Sequence, residues 1–88
     1  MTYAIVMSRS ARRRLTDQLP EAVATACLEF ILGPLAASPQ RVGAPLREPF
    51  AGDYRARRGE YRVRYQIDEV QHRVVVLDVE HRRDAYRS

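Results

Sequence analysis

The chain has 88 residues, a formal net charge of +4, 45% hydrophobic residues, one cysteine and no tryptophan. That length suits a single domain spanning residues 1–88, and the balance of apolar and charged residues suits a folded core rather than disorder. An internal disulfide is excluded by the lone Cys27, a membrane helix by the lack of about 20 consecutive apolar residues, and a zinc site by the spacing of Cys27, His72 and His81.

Residues 2–7 are rich in β-formers and predict a short strand. Ser8 or Ser10 can cap a helix running to about Leu19, with Ala11, Leu15 and Leu19 as its core stripe. Arg12, Arg13 and Arg14 then point largely away from the core. Pro20 suits the first turn of a second helix. There Val23, Ala26, Cys27, Phe30 and Ile31 share one face, which puts Cys27 in the core as an inert thiol. Gly33 and Pro34 are expected to weaken or kink this helix. Residues 38–49, with three prolines and one glycine, read as a connecting loop.

Beyond the loop the apolar period changes to that of strands. Residues 53–57 and 60–68 read as strands around Arg58 and Gly59, and residues 73–80 as a third. The predicted architecture is α+β: an N-terminal strand, a two-helix hairpin, then an antiparallel three-strand meander, with the helices packed on one face of the sheet.

All 15 basic residues are arginine. Arginine offers a planar fork of donors suited to phosphate and carboxylate, and a basic pI of about 9.8 suits a nucleic-acid or acidic protein partner. With Arg58-Gly59 as a two-residue hairpin loop, Arg57 would pair with Glu60, Arg55 with Arg62, and Asp53 with Arg64. Alternation then gathers Arg55, Arg57, Arg62 and Arg64 on one face, with Asp53 and Glu60 at its edge. Tyr54, Ala56, Tyr61, Val63 and Tyr65 line the other, core face. In the last strand Val75, Leu77, Val79 and His81 are expected to face the core, and Asp78, Glu80 and Arg82 the arginines. Like charges opposite one another destabilise a sheet. Either Asp53, Glu60 and Asp78 neutralise the cluster as a solvated face, or the cluster is an anion site prepared for phosphate.

Leu46, the run Ala51-Gly52-Asp53-Tyr54-Arg55-Ala56-Arg57, the run Gly59-Glu60-Tyr61-Arg62-Val63-Arg64-Tyr65, and His81-Arg82-Arg83-Asp84-Ala85-Tyr86 together resemble the RelE/ParE toxin superfamily, most closely its RelE-like members. The resemblance covers nearly the whole chain. It implies the toxin of a type II toxin–antitoxin system: a cytoplasmic, ribosome-dependent endoribonuclease that cuts mRNA in the A site and is held inactive by a cognate antitoxin. The implied reaction needs neither metal nor cofactor, because a ribose 2′-hydroxyl attacks the adjacent phosphate. Carried over, Arg62, Arg82, Tyr86 and Arg57 are the catalytic positions. Arg55 and Arg57 are also phosphate-binding positions, and strand alternation adds Arg64 to that phosphate-binding set. Some family members carry lysine where this chain has Arg55 and Arg57. The implied partners are the ribosome, mRNA and a RelB-like antitoxin whose acidic helical segment joins the toxin in a hetero-oligomer, with no membrane contact. Two other functions fit the same sequence, a ParE-like inhibitor of DNA gyrase and a non-catalytic nucleic-acid-binding module.

Overall fold

The computed structural model describes residues 2–81. Arg82 and Tyr86 lie outside the described residues. The expected order holds with two additions, a short helix and a short strand: strand β1 (Ala4–Met7), helix α1 (Arg9–Arg13) continued by a π turn over Arg14–Gln18, helix α2 (Glu21–Phe30) continued by a second π turn over Ile31–Leu35, the added helix α3 (Pro39–Val42), the added strand β2 (Ala44–Pro45), and strands β3 (Tyr54–Arg58), β4 (Tyr61–Asp68) and β5 (Arg73–His81). The five strands form one sheet in the order β1-β5-β4-β3-β2. Among the described strands only β1 against β5 is parallel; the helices carry the chain from β1 to β2 at the opposite edge, and the meander β2 to β5 brings it back beside β1.

Ser8 turns the chain from β1 into α1. Its hydroxyl accepts the Ala11 N–H (3.0 Å) and donates to the Leu77 carbonyl (2.6 Å), so one side chain caps the helix and ties it to β5. Such a cap contributes about 1 kcal/mol. The Leu19 N–H reaches the Arg14 carbonyl at 2.9 Å, the five-residue reach of a π turn. In the second helix, Gly33 and Pro34 widen the helix rather than ending it. The wide turn spares the Pro34 ring the carbonyl four residues back, where a regular helix would clash. Leu35 and Ala36 beyond it stay buried.

Ala11, Leu15, Ala24, Cys27, Phe30, Ile31 and Leu35 pack from the helices onto Ala56, Tyr61, Val63, Tyr65, Val74, Val76 and Val79 of the sheet. The helical stripe is one residue off the expected one: Ala24 is buried and Ala26 is exposed. Ala24 stands three residues before Cys27 and seven before Ile31, so it shares their side of the helix. Burial pushes the Cys27 thiol up to about 12, which keeps it protonated and inert at neutral pH.

Three further expectations are corrected. The 38–49 segment is not all loop. It holds α3 and β2, and β2 joins the sheet edge against β3, where Pro45 is tolerated. Gly43 makes this possible, because a Cβ there would collide with the Tyr65 hydroxyl and lie 2.8 Å from the Arg55 carbonyl oxygen. The hairpin turn is Gly59-Glu60 rather than Arg58-Gly59, so Arg58 pairs with Tyr61, Arg57 with Arg62 and Arg55 with Arg64. Gly59 takes φ 58° at the first turn position, which glycine adopts without strain. The register therefore moves by two residues, which leaves every side chain on its expected face. Finally, β5 does not keep one alternation. Arg64 pairs with Asp78 but Tyr65 with Val76, so Leu77 is an extra residue, a β-bulge. Val79 and His81 face the core as expected, whereas before the bulge it is Val74 and Val76, not Val75 and Leu77, that are buried.

Candidate nucleic-acid interface

The helices cover one face of the sheet. On the other face β3 presents Asp53, just before its start, then Arg55 and Arg57, while β4 presents Arg62, Arg64 and Gln66. Strand alternation puts them there because their neighbours Ala56, Val63 and Tyr65 must face the core. Arg55 stands opposite Arg64 and Arg57 opposite Arg62. Glu80 of β5 stands opposite Arg62.

Apart from Glu80, the described acidic residues near this cluster face Arg64 at its end or residues outside it. Asp53 is only 7% exposed. It accepts one hydrogen bond from Arg64 Nη1 at 3.1 Å and another from Gln66 Nε2 at 2.8 Å. Asp78 lies 3.8 Å from Arg14 of the first helix. Glu60, in the hairpin turn, reaches back to His81 at 3.6 Å on the core side. Among the described residues, no hydrogen bond or ion pair engages Arg55, Arg57 or Arg62.

Two like-charged pairs directly across two strands carry a repulsive cost. Among the described residues only one of the four guanidiniums is paired, Arg64 with Asp53. The other three, without a partner among the described residues, form a cationic patch of planar donor forks. Such a patch lowers its own energy by taking up an anion with several oxygens.

Arg64 differs from the other three. Its guanidinium is held by Asp53, and it also lies 5.1 Å from the centre of the Phe50 ring. It anchors loop 46–53 to the sheet. Alternation reports the face of a residue and not its partner, so the contact of Arg64 with Asp53 is not legible in the sequence. Arg58, one residue beyond Arg57, points to the helix side, 5.2 Å from the Phe30 ring centre. There it borders a groove of about 600 Å³ between α2 and the hairpin, lined by Val23, Ala26, Glu29, Phe30 and Glu60 among others. Arg12 and Arg13 are exposed on α1, away from the core as expected. His81 is buried on the core side, also as expected. No helix among the described residues is long and apolar enough to cross a membrane.

Residues 5–86 match the family model described as the ParE toxin of type II toxin–antitoxin system, parDE. Two proteins of Mycobacterium tuberculosis are similar along almost all of the chain. Toxin RelE is 45% identical over 85 residues, covering 97% of this chain and 87% of that protein. Toxin RelG is 46% identical over 87 residues, covering 99% of each. Among solved structures, the M. tuberculosis toxin–antitoxin complex RelBE2 superposes with a TM-score of 0.90 at 44% identity, over 93% of this chain and 100% of that one. The archaeal RelE–RelB complex of Pyrococcus horikoshii superposes at 0.71 with 26% identity, over 93% and 97%.

Proposed function

The chain belongs to the ParE toxin family of type II toxin–antitoxin systems, and from that premise we propose that it is a ribosome-dependent endoribonuclease acting through its arginine face. One observation carries the reading: Arg55, Arg57 and Arg62 share an open sheet face and have no hydrogen bond or ion pair among the described residues, while Asp53 and Asp78 are paired with Arg64 and Arg14.

In the proposed reaction a ribose 2′-hydroxyl of mRNA attacks the adjacent phosphorus and the 5′-oxygen of the next nucleotide leaves. The products are a 2′,3′-cyclic phosphate and a 5′-hydroxyl end. Charge builds on the phosphorane oxygens in between. Arg62, at the centre of the face and flanked by β3 and β5, is the main clamp on those oxygens. Arg57 opposite it shares that work, and Arg55 binds and orients the strand. Donors fixed on strands need no reorganisation as the charge develops, which is what makes such stabilisation effective. Arg64, already engaged by Asp53, shapes the end of the face. Arg82 and Tyr86 carry the proposed roles of assisting the leaving oxygen and of proton transfer. Alignment of the strand by the ribosome supplies the geometric part of the rate.

A RelB-like antitoxin is the proposed inhibitor, and RelB accompanies the toxin in the two superposed complexes. An acidic helical segment laid over three unpaired guanidiniums would neutralise them and block phosphate.

The test is to map mRNA ends after adding the purified protein to programmed ribosomes with an empty A site, beside naked mRNA and the Arg62→Ala protein. A cut within the A-site codon, absent from both controls, is the expected result. Intact mRNA with folded, antitoxin-free protein would refute it. The description of the family model as ParE favours a second reading, inhibition of DNA gyrase, and a supercoiling assay is the measurement that would reveal it.

A further inference from the structure

Phe50 is the one exposed aromatic side chain among the described residues, 46% accessible. It sits in loop 46–53, which is tied on both sides of it. The Leu46 N–H donates to the Asp53 carbonyl (2.8 Å), the Phe50 N–H to the Arg47 carbonyl (2.9 Å), and the Asp53 N–H to the Phe50 carbonyl (3.0 Å). Asp53 is in turn clamped to Arg64 and Gln66 on the sheet. The Arg64 guanidinium then meets the ring itself. A large apolar ring is thus kept in water and held still, at the end of a row of cations.

The position of that ring is set by the strand. Arg64 stands opposite Arg55, and one same-face step along β4, about 7 Å, leads to Arg62 and its partner Arg57. A nucleotide spans that step. Its phosphate would lie on the unpaired guanidiniums and its base, or that of its neighbour, over the ring.

We infer that Phe50 is a stacking platform for a nucleobase of the RNA strand whose phosphate occupies Arg55, Arg57 and Arg62. The inference rests on the ribonuclease reading above and extends its site. Arg64 backs the ring from the protein side through a cation–π contact, and its charge is already satisfied by Asp53, so it supports the ring without competing for phosphate. Every base has a π-face. The platform therefore adds affinity and fixes the position of the strand, and does not select a sequence.

The experiment compares wild type, Phe50→Leu and Phe50→Trp on programmed ribosomes. Leucine keeps an apolar cover over Arg64 but has no stacking face, while tryptophan keeps one. The substrates are an intact mRNA and a set of mRNAs with a single abasic nucleotide placed in turn at each position around the cut. On intact mRNA, Phe50→Leu should lower kcat/KM roughly 5- to 150-fold, the worth of one stacked base, and Phe50→Trp should stay close to wild type. At one abasic position wild type should fall to the Phe50→Leu rate, and the two proteins should become equal. Equal cleavage of intact mRNA by wild type and Phe50→Leu overturns the stacking role and leaves the ribonuclease reading standing. A Phe50→Leu loss of the same size at every abasic position also overturns it, marking Phe50 as a cover for Arg64 alone. Absence of cleavage by all three folded proteins overturns the ribonuclease reading, and the platform with it.

Discussion

Replacing Asp53 with alanine removes the one carboxylate among the described residues that pairs with the arginine face and leaves Arg64 facing Arg55 without it. Breaking a fully buried ion pair by deleting one partner costs about 3–5 kcal/mol. Here the Asp53 side chain is 10% accessible but that of Arg64 is 28%, so water can recover part of the stranded guanidinium. The Gln66 amide, on an exposed residue, rehydrates at little cost. The expected loss is therefore about 2–3 kcal/mol, a large fraction of the 5–15 kcal/mol typical of a domain. Urea unfolding followed by circular dichroism would read it as a lower midpoint at constant slope. A double-mutant cycle with Arg64→Met isolates the pair from the loop. Coupling should be about 1–2 kcal/mol, because methionine removes the charge that Asp53 compensates. A loss below about 0.5 kcal/mol for Asp53→Ala, within the range of ordinary surface changes, would refute the account of Asp53 as the anchor of loop 46–53.

Arg62→Ala should abolish mRNA cleavage while shifting stability by no more than about 0.5 kcal/mol, because no described partner is lost; a matched denaturation curve beside the cleavage assay checks both halves. Gly43→Ala should destabilise by about 1–3 kcal/mol, since the new methyl meets the Tyr65 hydroxyl and the Arg55 backbone, and hydrogen exchange at β2 should rise before the rest of the sheet. Burial holds the Cys27 thiol and the Tyr65 hydroxyl up to about 12, against ordinary values of 9.0 and 10.0. The unfolded chain releases these protons first, so stability is complete below about pH 9 and falls as pH rises toward 12. Thermal melts from pH 8 to 11 should show that fall, and Cys27→Ala should postpone its onset toward 10.0, the ordinary tyrosine value that governs the unfolded chain. A thiol reagent at neutral pH should label Cys27 only after unfolding.

The faces of the meander were legible because side-chain direction has a period of two. The hairpin turn lies one residue later than Arg58-Gly59, which changes each pairing sum by two, and a two-residue slip returns every side chain to its side of the sheet. That is why Arg55, Arg57, Arg62 and Arg64 could be gathered from spacing alone while their cross-strand partners could not. The same rule failed in β5, where one inserted residue at Leu77 switches the parity midway. A bulge leaves no mark on an unbroken run such as Val74-Val75-Val76-Leu77, in which every residue is apolar enough to face the core. The β2 edge was hidden for a related reason. Two residues between Gly43 and Leu46 carry no periodicity, and their pairing depends on how closely Gly43 lets the chain approach Tyr65.

By itself, then, the sequence determined the element order, the helices on one side of the sheet and the arginines on the other, and the family. These follow from local patterns that each residue carries whatever the distant chain is doing. Tertiary structure decided which charges find partners. Asp53 reaches Arg64 and Gln66 and Asp78 reaches Arg14, so among the described residues Arg55, Arg57 and Arg62 are left without a hydrogen bond or ion pair and Arg64 becomes an anchor. It also decided that Phe50, one aromatic in an unpatterned loop, stands beside those cations. Ion pairing depends on side-chain distance across strands and loops, and that distance exists only once register, bulge and turn have been chosen together.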